Sequence, residues 1–207
     1  MSELLSYLGI VSLCICLLVS LAQIKISYLK SKVNYINYFN LSLIQFVSCL
    51  LSFLILIYIF ITSDFNFSLV YQNSHTEKPM IYKLSGSWGN HEGSLLMWIL
   101  ILTIFNFMFA SMSKANIRLT EITIGVQSFL ILGFLLFLLL TSNPFSLLSE
   151  SPNEGLGLNP ILQDPFLAIH PPILYLGYVG FSLIFSLAIA GLLLNNIDKN
   201  CASIAKK

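Results

Sequence analysis

Five stretches of this sequence, 4–24, 39–62, 94–112, 122–141 and 173–194, contain no Asp, Glu, Lys, Arg or His. Each is about 20 residues long, enough to cross roughly 30 Å of hydrocarbon as an α-helix. That pattern predicts an all-α, polytopic transmembrane bundle of five spans forming one membrane domain over 1–207. Composition agrees: 57% of the residues are hydrophobic and 9% are charged, against about 25% charged in a soluble domain. The first apolar stretch lacks a basic leader and a small-x-small cleavage site, so it is expected to be a retained helix rather than a signal peptide.

The basic residues predict the orientation. Eight of the ten, Lys25, Lys30, Lys32, Lys114, Arg118, Lys199, Lys206 and Lys207, follow the first, third and fifth stretches. Only Lys78 and Lys83 fall on the other side. By the positive-inside rule, the eight face the cytoplasm or matrix, with the N-terminus outside and the C-terminus inside. Scattered in this way, the basic residues form no phosphate-binding face, and no nucleic-acid partner is expected. Ionisable groups within spans mark pumps and proton relays. None lies in these stretches, which disfavours a transporter or a proton pathway here.

Two long loops, 63–93 and 142–172, are then both outside, and they hold His75, His91, His170 and most of the acidic residues. Loops positioned by a rigid scaffold commonly carry function. The first loop ends in Trp88-Gly-Asn-His-Glu-Gly-Ser94. Asn90 is suited to cap the third span, and Glu92 suits its positive end. His91 reads either as a loop-tying hydrogen bonder or as a proton donor or metal ligand. The second loop is punctuated by Asn143-Pro144, Ser151-Pro152, Asn159-Pro160 and Asp164-Pro165, so it is expected to be ordered. Its apolar 161–169 stretch is short enough to lie along the interface.

His170 precedes Pro171-Pro172. Proline favours a first helical turn and drives the residue before it out of the α region. The fifth helix is therefore predicted to begin here, with His170 extended at the membrane surface. It reads either as an imidazole presented to a planar ligand or as an interfacial anchor. Gly177 and Gly180 are expected to permit close helix packing. Cys14, Cys16, Cys49 and Cys201 show no CxxC spacing. They point to no zinc or redox motif and read as small apolar residues.

The Trp88–Ser94 segment with Leu95-Leu-Met-Trp98, and Leu158-Asn-Pro-Ile-Leu-Gln-Asp-Pro165 with Ala168-Ile-His-Pro-Pro-Ile-Leu-Tyr-Leu-Gly-Tyr-Val-Gly180, resemble two motifs of the CcmF family of cytochrome c haem lyases, in the same order. The resemblance covers about the first third of that family's usual length. It implies haem b as cofactor and a place in attaching haem covalently to the CxxCH of apocytochrome c. Implied partners are the remainder of a CcmF-like protein, a CcmE-type haem chaperone, CcmH/CcmI-type apocytochrome carriers, apocytochrome c and membrane lipid. His170 matches the first of two histidines flanking the family's tryptophan-rich WWD segment, which makes it the candidate axial ligand to haem iron. His91, Trp88 and Tyr175 are weaker candidates, and for Trp88, Tyr175 and Phe166 a lipid or packing contact is the favoured reading over a porphyrin contact.

The sequence has no WWD segment, no second flanking histidine and no histidine within a span. A complete haem site therefore needs residues beyond these 207, and the chain alone is expected to be inactive as a lyase. It reads as a split or truncated CcmF of the mitochondrial inner membrane or bacterial cytoplasmic membrane. The loops would face the intermembrane space or periplasm. One Arg against nine Lys suits an AT-rich, organelle-like gene, and no transit peptide is evident. The alternative is a structural or docking subunit of the maturation complex that never ligates haem.

Overall fold

Each of the five apolar stretches forms a helix in the computed structural model, which describes residues 1–28, 35–112, 117–150, 152–160 and 163–195. The long helices are α1 (Ser2–Tyr28), α2 (Tyr35–Ile61), α5 (His91–Met112), α6 (Ile117–Thr141) and α7 (Pro165–Leu193). All five are long and apolar enough to cross a membrane. Even the shortest, the 22-residue α5, spans about 33 Å at 1.5 Å per residue. The first loop also contains two short helices, α3 (Ser68–Asn73) and α4 (Met80–Gly86). Among the described residues the only strand-like pairing is the isolated bridge between Phe67 and Leu147. Lys30, Lys32, Lys114, Lys199, Lys206 and Lys207, which weigh heavily in the orientation argument, lie outside the described residues, as do Ile161, Leu162 and Cys201.

Helix α1 packs against α2 and α6, while α5 contacts α2, α6 and α7. The main core joins Leu13, Leu56, Ile59, Leu96, Ile99 and Leu135 from four helices. Cys16 and Cys49 are buried within it, whereas Cys14 is exposed. Polar residues stitch the apolar helices together. Gln23 Nε2 donates to Ser42 Oγ at 2.9 Å and Gln45 Nε2 to Ser20 Oγ at 2.8 Å. Asn106 Nδ2 donates to Gln45 Oε1 at 2.7 Å, and Ser128 Oγ to Gln23 Oε1 at 2.6 Å. This network is buried and joins α1, α2, α5 and α6. Gln127 links α6 to α7, donating to Ser182 Oγ at 2.9 Å and accepting from Ser186 Oγ at 2.7 Å. Interhelical hydrogen bonds of this kind supply specificity where lipid removes the hydrophobic drive between helices.

Helix α6 starts at Ile117, ahead of the predicted 122, and so takes in Arg118 and Glu121. Glu121 is buried, and its carboxylate is paired with Arg118 Nη1 at 2.9 Å. That pairing is what makes a buried carboxylate tolerable in such a helix.

Both long loops gather at one end of the bundle. Ser68 N donates to Ser146 O (3.0 Å), Leu148 N to Asn66 O (2.8 Å), Leu156 N to Tyr71 O (2.7 Å) and Gly157 N to Ser74 O (3.1 Å). The start of α1 joins them through Ser2 Oγ, which donates to Asp64 Oδ2 at 2.7 Å, and Ser6 Oγ, which donates to Phe145 O at 2.8 Å. The expectation of an ordered second loop is met by these backbone bonds to the first.

Candidate functional site

The decisive local feature is where α7 begins. It begins at Pro165, not after His170. Asp164 is the N-cap, its Oδ1 accepting from Phe166 N at 2.8 Å and Leu167 N at 3.2 Å. Pro165 occupies the first helical position, where its missing N–H costs nothing. Two proline starts compete in this sequence, and only Asp164-Pro165 comes with a capping side chain. The 165–169 part of the stretch expected along the interface is therefore α7's opening turn. His170 is helical rather than extended, which corrects the expectation, and Pro171 and Pro172 lie inside the helix.

Internal prolines remove the hydrogen bonds that would return to Leu167 O and Ala168 O. The second of these carbonyls is satisfied from the other loop, where Trp88 Nε1 donates to Ala168 O at 2.9 Å. Ala168 is buried and Trp88 packs against the main core, so the bond is sheltered. The two long motifs of the sequence meet at this bond.

Helical geometry places His170 on a single stripe with Ile173, Leu174, Gly177, Tyr178 and Phe181. Their spacing is that of one helix face. Together they line an open, almost wholly apolar trough of about 380 Å³. A Cβ at Gly177 would meet nothing within 4 Å, so this glycine opens the trough rather than bringing a helix close. Gly180 does make a packing contact, its position lying 3.3 Å from the Phe105 ring. His170 is exposed, and no hydrogen bond or ion pair engages its imidazole among the described residues.

The other candidate residues lie away from this trough. Trp88 and Tyr175 face inward: Tyr175 meets Trp98 edge-on with ring centroids 5.3 Å apart, and Trp98 in turn contacts Phe134 at 6.1 Å. His91 is exposed at the start of α5 and meets Phe137 of α6 edge-on at 6.0 Å. Phe166 is 84% exposed in the first turn of α7. The structure thus gathers Trp88, Trp98 and Tyr175 in the packing between helices and leaves His170 on the open face. Tyr178 and Phe181 escaped the sequence reading as wall residues. Their signal was the helical spacing from His170, which is visible only once α7 is carried back to Asp164.

Around Trp88 the backbone is tightly specified. Asn90 caps α5 as expected, its Oδ1 accepting from Gly93 N at 2.7 Å. Any Cβ at position 93 would overlap the Ser87 carbonyl, so this turn requires glycine.

A second knot ties the loops beyond α3. Glu154 accepts from Thr76 Oγ1, from Thr76 N at 3.0 Å and from Gly155 N at 3.0 Å, and His75 Nδ1 lies 3.9 Å away. The Thr76 hydroxyl and these amides hold the Glu154 carboxyl down at about 2. Burial pushes the Lys78 amine below its ordinary value, beside Gly157, whose φ of +92° suits glycine alone. Among the described residues no group of three His, Cys, Asp or Glu side chains forms a metal site.

Comparison with known proteins identifies the family. The family model described as "Cytochrome C assembly protein" matches residues 88–206, starting at Trp88. The chain belongs to the cytochrome C assembly protein family. Among curated relatives, cytochrome c-type biogenesis protein ccl1 of Rhodobacter capsulatus is 51% identical over 158 residues, covering 76% of this chain and 24% of that protein. CycK of Rhizobium meliloti is 49% identical over 166 residues, covering 77% and 24% respectively. CcmF of Escherichia coli is 43% identical over 163 residues, covering 78% and 25%. The chain thus spans about a quarter of the length of these relatives. A solved structure titled cytochrome c haem lyase CcmF superposes with a TM-score of 0.78 at 24% identity, over 92% of this chain and 31% of that one. The five-helix bundle is therefore a fold shared with part of that structure.

Proposed function

We propose that this chain is one component of a cytochrome c maturation haem lyase and that it supplies one face of a haem site, with His170 as the axial imidazole. The observation that carries this reading is the unpartnered imidazole at the head of the apolar trough on α7. A porphyrin needs an apolar wall and an axial donor. Ile173, Leu174, Tyr178 and Phe181 furnish the wall, and His170 the donor. Bound haem would bring the porphyrin to which the CxxCH cysteines of an apocytochrome become linked.

The chain's own residues position and shelter. Asp164 and Trp88 fix the first turns of α7 and therefore the bearing of His170. The trough is walled on one side only, so the second axial ligand and the opposite wall come from outside these 207 residues, from the remainder of a CcmF-like protein. The relatives' greater length supports this reading. We place the loop end at the periplasmic or intermembrane-space side, by the positive-inside argument, in a bacterial cytoplasmic or mitochondrial inner membrane. Haem b, a CcmE-type chaperone, CcmH/CcmI-type carriers and apocytochrome c follow from the family resemblance.

The test is co-purification of the chain with its membrane partners, wild type against His170→Ala, with haem measured per complex. Haem retained by wild type and depleted in the variant supports ligation. Equal haem in both, with the complex intact, favours the structural-subunit reading. That second reading draws on α7 itself, the least buried of the five helices, whose exposed apolar face suits packing by further membrane helices.

A further inference from the structure

The trough on α7 runs on well below His170. Trp88 Nε1 donates to Ala168 O, which sets Ala168 level with the turn before α5, at the loop edge of that 22-residue span. Tyr178 stands ten residues further on, about 15 Å along the axis, and so near the middle of roughly 30 Å of hydrocarbon. Its side chain leans back toward the helix start, which still leaves the hydroxyl well inside the apolar layer. Tyr178 is 65% exposed, and among the described residues its hydroxyl makes no hydrogen bond.

That placement sets Tyr178 apart within this chain. The other exposed tyrosines among the described residues, Tyr7, Tyr28 and Tyr58, lie within five residues of a helix end, at Ser2, Tyr28 and Ile61. Their hydroxyls reach the polar interface, where tyrosine is favoured. Tyr178 is 13 residues from Pro165 and 15 from Leu193, and reaches neither end. Lipid chains offer a phenol no hydrogen-bond partner, and a phenol without one is costly in hydrocarbon. Gly177 beside it also fits lipid contact poorly. It is exposed and a weak helix former, and a Cβ there would meet nothing within 4 Å. None of the described helices fills that notch. The exposed stripe of α1 differs, for Leu8, Val11, Ile15 and Leu18 are plain aliphatic side chains.

We propose that Gly177 and Tyr178 seat a transmembrane helix from outside these 207 residues, in the remainder of a CcmF-like protein, and that a polar side chain of this helix hydrogen-bonds the Tyr178 hydroxyl. Small residues let helix backbones approach closely, and polar side chains bond across such contacts. The length for such a helix exists in the relatives, of which the chain spans about a quarter. A porphyrin held through its iron at His170 occupies the head of the trough, and Phe181 lies 11 residues beyond that ligand, about 16 Å along the axis. The incoming helix closes this far end. The inference rests on the proposed function only for the presence of that remainder, and not on haem at His170.

The test maps what touches this face in the complex purified with its membrane partners. A p-benzoylphenylalanine is placed at Ile184, exposed on the same stripe seven residues below Gly177, or at Leu18 on α1, and is irradiated. Mass spectrometry identifies what is joined. Ile184 is expected to capture a peptide of the CcmF-like remainder, and Leu18 to capture lipid. Tyr178→Phe removes one oxygen and should lower the thermal midpoint of the complex by about 2 °C, the effect of one interhelical hydrogen bond. Tyr58→Phe should leave the midpoint unchanged. Capture at Ile184 of lipid alone, of a second copy of this chain or of any other protein overturns the proposal, as does an unchanged midpoint in Tyr178→Phe. Haem is assayed in the same samples. Haem lost in His170→Ala with only lipid captured at Ile184 defeats this inference and spares the haem reading, and the reverse pattern does the opposite.

Discussion

The Trp88 indole N–H donates to the Ala168 carbonyl at 2.9 Å across 80 residues of sequence. Ala168 is the residue whose helical partner would be the N–H that Pro172 lacks. The bond therefore repairs a defect that the proline pair creates, and in doing so it pins the head of α7, with His170, to the turn before α5. The positioning of the candidate ligand rests on this cross-loop repair.

Trp88→Phe keeps the ring but strands a buried carbonyl, and should destabilise the chain by about 1–3 kcal/mol. Pro172→Ala restores a helical donor to Ala168 O. In that background Trp88→Phe should cost less than half as much. Thermal midpoints of the four proteins in detergent give the coupling directly, and additive shifts would show that the bond is not the repair described.

Asp164→Ala removes the cap of α7 and should cost about 1 kcal/mol. The loss is local. Hydrogen exchange at the Phe166 and Leu167 amides, which the Asp164 carboxylate accepts from, should accelerate, while the amides of α5 stay protected.

The fold was legible because charge-free stretches of spanning length leave few alternatives to a helix bundle. The two loops' sharing one end was implicit in the two spans, α5 and α6, that separate them. The start of α7 was misread because Asp164-Pro165 looks like a turn when His170-Pro171-Pro172 lies just downstream. Side-chain capping and the Trp88 bond decide between them, and the second is a tertiary contact with no local signature. The same holds for the buried amides: Gln23, Gln45 and Asn106 sit on three different helices, and nothing in their spacing announces that they meet. The identity of His170 as a candidate was legible, but its apolar wall was not, since that wall depends on the helix register through position 170.

Replacing Asn106 with Leu removes the donor shared by Gln45 Oε1 at 2.7 Å and, more weakly, Gln23 Oε1 at 3.5 Å. Gln45 Oε1 then loses its buried donor while Gln23 Oε1 keeps Ser128 Oγ at 2.6 Å, and a destabilisation of about 1–2 kcal/mol follows from the strength of interhelical hydrogen bonds in membranes. Chemical unfolding in mixed micelles measures it. A neutral effect would mean that the amides re-pair among themselves.

The Glu154 clasp should be acid-labile. Its folded-state value of about 2 lies below the ordinary carboxylate value of 4.5, so its contribution is complete above about pH 4.5 and is lost as pH falls toward 2. The protection of Thr76 N against hydrogen exchange, relative to a free amide at the same pH, rests on its bond to Glu154 Oε1 at 3.0 Å and should fall over that window. In Glu154→Gln the protection should already be weak at neutral pH and should not change further with acid.

The most direct test of the account is ligand rescue at position 170. The chain is purified with its membrane partners as wild type and as His170→Ala, and haem spectra are recorded with and without added imidazole. The account predicts that the variant loses or alters the wild-type haem spectrum and that free imidazole restores it. A variant whose haem content and spectrum match wild type, before and after imidazole, would contradict ligation by His170 and leave this chain as a scaffold.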